Sequence, residues 1–401
     1  MSKILPIASL LALLTPPAAA GQQLPSEPVR LFDGRVRISG EVSATFGSHD
    51  EEVYFNYTDY ERNALRTFRA SLSGLWQPAD RIAFLGELRT EELEHVGAYA
   101  AFVRVRPWRT VAFDVQAGRI PPVFGAFGRR AYQSQQILIG YPLAYQYLTS
   151  IRADALPADA DDLLRMRGRG WRSNFPVGAQ YAAPGLPLIS AFRWDTGVQA
   201  QFSTDLLDLA ASVTTGTLSN PRLTDDNGGK QLAGRVAFRP LTGLVAGASA
   251  ARGAWISDEV PTAGPGSSTQ SAIGGDIEYS RDHWLVRSEL VWSRWELPFL
   301  QTPPQGNTVS ALGAWLEGRY RVTPRIHVAG RIDRLSFSRI TGDLFGRAPT
   351  PWDSPVTRYE LGGGYALQRN LILRAIVQRN RRDGTPVEKR TFYSTQIAWW
   401  F

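Results

Sequence analysis

Three features are absent or scarce in this sequence, and each absence excludes a class of protein. The 401 residues include no cysteine, which excludes disulfide scaffolds, thiolate metal sites, cysteine nucleophiles and a lipidated N-terminal cysteine. No apolar run reaches the ~18 residues that a membrane-spanning helix needs, so helical membrane anchors are excluded. Lysine occurs only at Lys3, Lys230 and Lys389, and the net charge of +7 therefore rests on arginine.

The first twenty residues have the pattern of a secretory signal. Lys3 precedes an apolar run from Ile4 to Leu14, a pair of prolines breaks it, and three alanines ending at Ala20 precede Gly21. This order of basic, apolar and small residues is typical of a cleaved export signal. We therefore expect residues 1–20 to be removed near Ala20, and export also argues against a nucleic-acid partner.

Segments that alternate apolar with polar residues follow one another from residue 34 to the end of the chain. In the clearest one, residues 193–202, Trp194 and Val198 share one face while Asp195 and Gln199 share the other. Such alternation predicts a strand with lipid on one side and water on the other. The same pattern predicts sixteen strands, near residues 35–47, 65–77, 81–90, 97–107, 110–118, 193–203, 207–217, 230–239, 242–252, 270–280, 283–294, 309–321, 324–337, 356–367, 370–380 and 389–401.

Tight turns and longer polar loops alternate between these strands. Tight turns include residues 77–80 and 368–370, whereas longer loops lie near 48–64, 91–96, 119–192, 218–229, 253–269, 295–308, 338–355 and 381–388. Outer-membrane barrels have short periplasmic turns and longer external loops. An even strand count also lets the first strand pair with the last, which leaves no open sheet edge in lipid. The sequence therefore predicts an all-β, 16-stranded antiparallel transmembrane barrel over residues 21–401.

The last predicted strand ends on an aromatic residue. Tyr393, Ile397 and Trp399 share one face, and the chain stops at Phe401. This resembles the C-terminal signature that outer-membrane barrels present to their insertion machinery, which we therefore expect as a partner.

The residues predicted to face the interior include many charges. The predicted inward arginines are Arg69, Arg89, Arg104, Arg193, Arg235, Arg287, Arg319, Arg331, Arg358, Arg374 and Arg390, and the acids are Glu87, Asp114, Asp195, Glu289, Glu317, Asp333 and Glu360. An excess of arginine in a narrow tube concentrates anions and predicts a mild anion preference. The alternative is that pairs two residues apart, such as Arg287 with Glu289 or Arg358 with Glu360, neutralise each other as wall scaffolding.

The start of the longest loop resembles a known family. The fifth strand ends in Gly118-Arg119, residues 121–125 read Pro-Pro-Val-Phe-Gly, and a long third external loop follows. This arrangement resembles the phosphate-selective porin group and, more loosely, the general trimeric porins. The resemblance implies that residues 119–192 fold into the lumen and narrow it, and that three copies assemble. The lysines that feature in phosphate-selective pores are nearly absent here.

If the loop enters the lumen, its arginines are candidates for the constriction, because guanidinium groups stay charged and bind carboxylate or phosphate oxygens. Candidates near its base are Arg119, Arg129 and Arg130, and candidates near its end are Arg165, Arg167, Arg169 and Arg172. Asp154, Asp159, Asp161 and Asp162 either supply an opposing acidic wall or begin a short helix toward Met166.

Together these features predict an outer-membrane porin for passive diffusion of small hydrophilic solutes, with no cofactor, no metal and no enzymatic activity. The expected partners are outer-membrane lipid and lipopolysaccharide, small solutes and two further copies of the chain. Two alternatives stay open. One is a barrel enzyme of lipase or protease type, although only His49, His95, His283 and His327 are present. The other is a structural or adhesin barrel that its long loop plugs.

Overall fold

The computed structural model describes residues 28–50, 55–58, 63–191, 193–261, 268–302, 306–384 and 386–401, without the side chains of His95 and Arg129. The expected secretory signal and its cleavage near Ala20 lie outside the described residues. No helix in the described part of the chain is long and apolar enough to cross a membrane.

Sixteen antiparallel strands form the barrel, which confirms the predicted number. They are β1 (Val36–Gly47), β2 (Phe68–Ala79), β3 (Ile82–Glu91), β4 (His95–Val105), β5 (Phe113–Ile120), β6 (Asp195–Ser203), β7 (Leu207–Thr214), β8 (Gln231–Leu241), β9 (Leu244–Ala254), β10 (Thr269–Arg281), β11 (Trp284–Glu296), β12 (Thr308–Arg321), β13 (Ile326–Phe337), β14 (Val356–Gln368), β15 (Leu371–Arg382) and β16 (Glu388–Trp400). A short strand, Val29–Leu31, pairs with the start of β1. Two further short pairs, Ala155–Leu156 with Val177–Gly178 and Arg339–Ile340 with Thr350–Pro351, lie in loops.

The sheet closes on itself because β1 pairs with β16 over the range Glu41↔Trp400 to Gly47↔Ser394. At the end of this seam Phe401 N donates to Gly40 O at 3.0 Å, and Gly40 N donates to Phe401 O at 3.1 Å. Closure gives the strand edges hydrogen-bond partners, which hydrocarbon cannot provide.

Side chains alternate between the two faces of each strand, as period two requires. In β3, Phe84 and Leu88 point outward and are 45% and 49% exposed, whereas Leu85 and Glu87 point inward and are buried. Exposing the Glu87 carboxylate to lipid would cost free energy, so the outward face, with Phe84 and Leu88, is the one that meets hydrocarbon. The short connections lie at one end of the barrel, called the turn end, and the long ones at the other, called the loop end.

Two local predictions are wrong. The segment 91–96 is a tight turn rather than a long loop, because Glu92 and Leu93 both adopt positive φ values of 53° and 61°, the geometry of a short hairpin. Trp194 does not face lipid, since β6 begins one residue later, at Asp195. Its indole is buried against Tyr99, with ring centroids 4.9 Å apart.

The hydrophobic core lies inside the barrel rather than between two sheets. Loop residues such as Phe55, Phe124 and Tyr145 pack there against inward strand residues such as Val291 and Trp315. The interior is therefore partly filled by the chain's own loops, and the loop between β5 and β6 contributes most of this filling.

Candidate functional site

The loop between β5 and β6, residues 121–194, runs through the inside of the barrel and is called the crossing loop below. It contains two short helices, α1 (Leu143–Gln146) and α2 (Ala160–Arg165). Pro142 precedes α1 with φ of −59°, a value already suited to the start of a helix. The first half of the loop forms hydrogen bonds with inward side chains of β1, β2, β3, β9, β11, β13, β14 and β15.

Three inward carboxylates accept hydrogen bonds from this loop. Glu41 accepts from Gln133 N at 2.8 Å and from Ser134 N at 3.1 Å. Glu87 accepts from the Tyr132 hydroxyl at 2.7 Å. Glu289 accepts from the Tyr145 hydroxyl at 2.7 Å, from Ala126 N at 2.9 Å and from Trp315 Nε1 at 3.3 Å. These carboxylates therefore satisfy donors that would otherwise be buried without a partner.

The β13 to β15 side of the wall holds the same loop. Asp333 Oδ2 accepts from Leu143 N at 2.5 Å. Arg331 Nη2 donates to Gly140 O at 2.7 Å, and Arg374 Nη2 donates to Gln133 O at 2.8 Å and Gln136 O at 2.9 Å. The loop is thus fixed between opposite walls, and the charged side chains that hold it are, apart from Glu41, ones that the sequence pattern predicts as inward.

Aromatic side chains meet where the loop crosses the interior. The ring of Phe127 lies 5.5 Å from Tyr141, 4.9 Å from Tyr145 and 6.0 Å from Trp315. Burial raises the pKa of the Tyr145 and Tyr132 hydroxyls well above the ordinary tyrosine value, and the nearby carboxylates raise it further. Both hydroxyls therefore stay protonated and act as hydrogen-bond donors.

Arg358 is the most completely enclosed of these wall arginines. Its guanidinium donates to Asn380 Oδ1 at 2.7 Å, to Tyr141 O at 3.0 Å and to Phe55 O at 2.5 Å. The side chain is fully buried, so it joins β14, β15, the crossing loop and the β1–β2 loop in one place.

We expect Arg358→Ala to lower the free energy of unfolding by about 3–5 kcal/mol, because it leaves buried acceptors and neighbouring carboxylates without their cation. The measurement is denaturant unfolding of the refolded protein in detergent, followed by tryptophan fluorescence. Arg281→Ala is the control, since Arg281 is 73% exposed in a turn. Equal stability of the two variants would contradict this role for Arg358.

Of the predicted inward residues, Arg193 precedes β6 and is exposed, whereas Asp195, the first residue of β6, is buried. The others face the interior. Arg69, Arg89, Asp114, Glu289, Glu317, Arg331, Asp333, Glu360 and Arg374 are buried there, and Arg104, Arg235, Arg287 and Arg319 are half-buried. Arg390 has the inward orientation but lies exposed at the loop end of β16, 3.3 Å from Glu388. That these residues line a conducting path stays a prediction.

Arg89 pairs with Glu87, two residues away on β3, at 3.1 Å, but the two pairs predicted on β11 and β14 are replaced by pairs across strands. Arg287 pairs with Glu278 at 2.9 Å instead of with Glu289. Glu360 pairs with Arg331 at 2.7 Å instead of with Arg358. Directly opposed or diagonal positions on neighbouring strands are close enough for such contacts.

Several inward charges were missed by the sequence pattern. The additional acids include Glu41, Glu91, Asp208, Asp276 and Glu278, and the additional arginines include Arg37, Arg106, Arg239 and Arg321. Asp276 pairs with Arg235, Asp208 with Arg239, and Asp114 with Arg106 at 2.9 Å. A consistent period-two count from Gln270 along β10 would have found Asp276, and one from Ser212 along β7 would have found Asp208.

Four inward arginines at the turn end form no ion pair with another described residue. Arg104 lies within electrostatic range of Arg37, Arg106 and Asp114, on the β1 and β4 side, and Asp114 already pairs with Arg106. Arg319 lies within range of Arg321 and of Glu317 and Glu278, on the β12 side. Arginines outnumber carboxylates at the turn end on the β1 and β4 side, and two unpaired arginines lie on β12.

The predicted constriction arginines lie at different places: on the outer surface of the barrel, in the interior and near the loop end. Arg119 is on the outward side of β5, where its guanidinium donates to Ala98 O at 2.6 Å and Trp194 O at 3.0 Å. Arg130 does reach the interior and pairs with Glu278, while the side chain of Arg129 lies outside the described residues.

The arginines near the end of the crossing loop lie toward the external opening. α2 packs against the 3-10 turn Asp343–Phe345 of the β13–β14 loop, where Asp161 accepts from Leu344 N at 2.8 Å. Arg167 lies 5.4 Å from the ring of Phe345, and the exposed members of the group are Arg165, Arg169 and Arg172. A role of these arginines at a constriction stays a prediction.

The acids beside them begin a helix, which confirms the capping interpretation. Asp159 is the N-cap of α2 and accepts from Asp162 N at 2.9 Å. Asp161 and Asp162 occupy the first turn, where the helix dipole favours negative charge.

Two large grooves, of about 670 and 640 Å³, lie on the barrel's outer surface. Small outward residues of β6 to β9, including Ala200, Ala211 and Gly234, form their floors. Because this surface meets hydrocarbon, we do not assign these grooves to solute binding. Among the described residues, no group of three or more histidine, aspartate or glutamate side chains could hold a metal ion.

Comparison with solved structures agrees with this architecture. The anion-selective porin from Comamonas acidovorans aligns over 91% of this chain and 99% of its own, with a TM-score of 0.55 and 11% identity. Salmonella typhi OmpF in complex with daunomycin aligns over 93% of this chain and 100% of its own, with a TM-score of 0.54 and 11% identity. This chain has the porin-type fold.

A third porin-type neighbour is the outer membrane channel DcaP of Acinetobacter baumannii, with a TM-score of 0.53, 9% identity, and coverage of 93% of this chain and 100% of its own. No family model matches the sequence, and no curated protein matches it significantly. At these identities the likeness establishes the 16-stranded porin-type barrel, and the activity has to be argued from the inner wall of this chain.

Proposed function

We propose that the protein is an outer-membrane channel for passive diffusion of small hydrophilic solutes, narrowed by its crossing loop and with a preference for anions. The observation that carries this proposal is the charged inner face of a closed barrel, where Arg37, Arg104, Arg319 and Arg321 at the turn end form no ion pair with another described residue. The channel names of the solved neighbours support the same function.

The anion preference rests on these four arginines rather than on the whole inner wall. The pairs across strands remove much of the predicted charge excess, because Arg235, Arg239 and Arg331 each face a carboxylate. A charged ring inside a low-dielectric tube still attracts the opposite ion when its charges lack partners. Anions should therefore gather at the periplasmic entrance.

Replacing Arg104 and Arg319 by glutamine should lower the anion-to-cation permeability ratio by about threefold or more, because two of the four unpaired charges are lost. The measurement is the reversal potential of the protein in a planar bilayer under a potassium chloride gradient. Arg281→Gln is the control, since its side chain is exposed in a turn. Cation selectivity of the unaltered protein, or an unchanged ratio in the double variant, would overturn the preference.

A barrel closed by its own loop is the second candidate, favoured by the Phe127, Tyr145 and Trp315 contacts in the interior. Planar-bilayer recording distinguishes the two, because a channel gives stepwise current and a plugged barrel stays silent at all voltages. We further propose that the protein is not an enzyme, which hydrolysis of added lipid or peptide by the refolded chain would contradict.

We also propose a homotrimer in the bacterial outer membrane. The Vibrio cholerae outer membrane protein OmpT, described in a trimer form, supports this with a TM-score of 0.52 and 10% identity over 91% of this chain and 99% of its own. Chemical cross-linking of the protein in detergent should give a limiting band of three chains, whereas a monomer at all cross-linker concentrations would exclude the assembly.

A further inference from the structure

A row of basic side chains lies on the outer surface of the barrel, outside the channel interior. Arg334 is opposite Thr357, Thr357 is opposite Arg381, and Arg381 is opposite Lys389, so the row runs across β13 to β16. Arg379 lies one row nearer the membrane centre, between Tyr359 and Thr391. We call Arg334, Arg379, Arg381 and Lys389 the basic row.

These side chains point outward. Their neighbours on the same faces are the exposed apolar and aromatic residues Ile332, Tyr359, Leu361 and Tyr393, which are 45%, 53%, 64% and 64% exposed. The inward positions between them, including Asp333, Glu360 and Asn380, are buried. The basic row therefore faces the membrane side of the wall and cannot contribute to the solute path.

The height of the row on the barrel places it at the external head groups. β13 to β16 are joined on this side by the 338–355 and 383–387 loops, which form the loop end. The apolar band begins directly below, at Leu361, Val377 and Tyr393, and continues to Trp399 near the turn end. Tyrosine beside arginine at the edge of an apolar band is the pattern of a membrane–water interface.

The row keeps an excess of positive charge. Asp383 lies 3.6 Å from Arg334 and 3.1 Å from Arg381. Among the described residues, it is the one carboxylate that forms ion pairs with the basic row. The side chains of Arg379 and Lys389 form no ion pair or hydrogen bond with another described residue. Exposed cations at a lipid surface are drawn to anionic head groups.

We propose that the basic row binds a lipid of the external leaflet whose head group carries more than one phosphate, as in a diphosphorylated glycolipid. Four neighbouring strands span roughly 14 Å, which is wider than one phosphate group. Guanidinium groups bind phosphate oxygens through paired hydrogen bonds. The acyl chains would lie against Leu361 and Tyr393 below. If a second copy of the chain packed its own basic row against this surface, like charges would repel each other, so lipid is favoured over a second copy as the occupant.

The test uses the refolded mature chain in non-ionic detergent and diphosphoryl lipid A as the probe, with bound lipid counted by native mass spectrometry. The triple variant Arg379→Gln, Arg381→Gln, Lys389→Gln should bind at least about tenfold more weakly than the unaltered protein. The control triple variant, Arg281→Gln, Arg325→Gln, Arg369→Gln, changes exposed arginines at the turn end and should bind as the unaltered protein does.

A variant that is expected to bind lipid A more tightly shows whether a change in binding reflects contact with the lipid or a folding defect. Asp383→Asn removes the carboxylate beside Arg334 and Arg381, so lipid A should bind more tightly, about threefold. Dephosphorylated lipid A should bind weakly and without difference among the variants. Channel current should be the same in the basic-row variants, which distinguishes a failure here from a failure of the proposed channel function.

Three results would overturn the proposal. Equal lipid A binding by the basic-row and control variants would show that these cations do not contact the lipid. Full competition by millimolar inorganic phosphate would show a site for free anions. Loss of oligomers in the basic-row variant with unchanged lipid binding would show that this surface joins copies of the chain.

Discussion

The double variant Glu289→Ala, Asp333→Ala should carry at least about twice the single-channel current of the unaltered protein. Glu289 accepts hydrogen bonds from the Tyr145 hydroxyl and Ala126 N, and Asp333 accepts from Leu143 N, so both hold the segment around α1. Removing an acceptor from a buried donor costs about 1–3 kcal/mol for each donor. The segment should therefore leave the wall for a substantial part of the time and widen the passage.

The matched control keeps an oxygen acceptor at each position. Glu289→Gln, Asp333→Asn removes the charge but leaves an amide oxygen for the same donors, so its current should stay close to that of the unaltered protein. Planar-bilayer recording at fixed salt and voltage measures both. If the alanine variant carries the same current as the amide variant, these contacts do not determine the width of the channel.

A disulfide between the crossing loop and the wall should reverse this increase. A Cβ atom at Gly313 would lie 2.9 Å from Cβ of Ala144, and disulfides need about 3.8 Å, so a small outward shift suffices. The chain has no cysteine, so Ala144→Cys and Gly313→Cys introduce the one possible pair. Made in the Glu289→Ala, Asp333→Ala background, this pair should return the current to the unaltered level when oxidised.

Reduction should restore the larger current, because the loop is then held only by its remaining contacts. Free-thiol titration before and after oxidation shows whether the bond has formed, and the two single-cysteine variants control for the substitutions. If the bond forms in high yield and the current remains high, the passage does not run past α1, and the wall on the opposite side of the interior should be tested instead.

The strands could be predicted from the sequence because, in each one, outward apolar residues alternate with inward residues that are often polar. Phe84, Leu88 and Glu87 show this within a single strand. The outward orientation predicted for Trp194 was wrong because this residue lies one position before β6 and is not part of the wall. Its side chain packs on Tyr99 instead. Strand ends therefore depend on tertiary contacts that alternation does not contain.

The interior could be predicted only in part. Alternation identifies Arg331 and Glu360 as inward, but not that they pair with each other from neighbouring strands. The contact of Leu143 with Asp333 joins residues 190 positions apart, and no local pattern specifies it. The positions of Arg165 to Arg172 could not be predicted, because a basic cluster in a loop does not indicate which part of the loop enters the barrel.

The seam between β1 and β16 has a consequence for how the molecule is made. It joins residues such as Thr45 and Gln396, which are 351 positions apart and bonded at 2.9 Å, and its last hydrogen bonds use the final residue of the chain. A chain without β16 therefore lacks half of the closing edge. The cylinder can form only when β16 is present, so the earlier strands have to be kept from pairing with other chains until β16 is available.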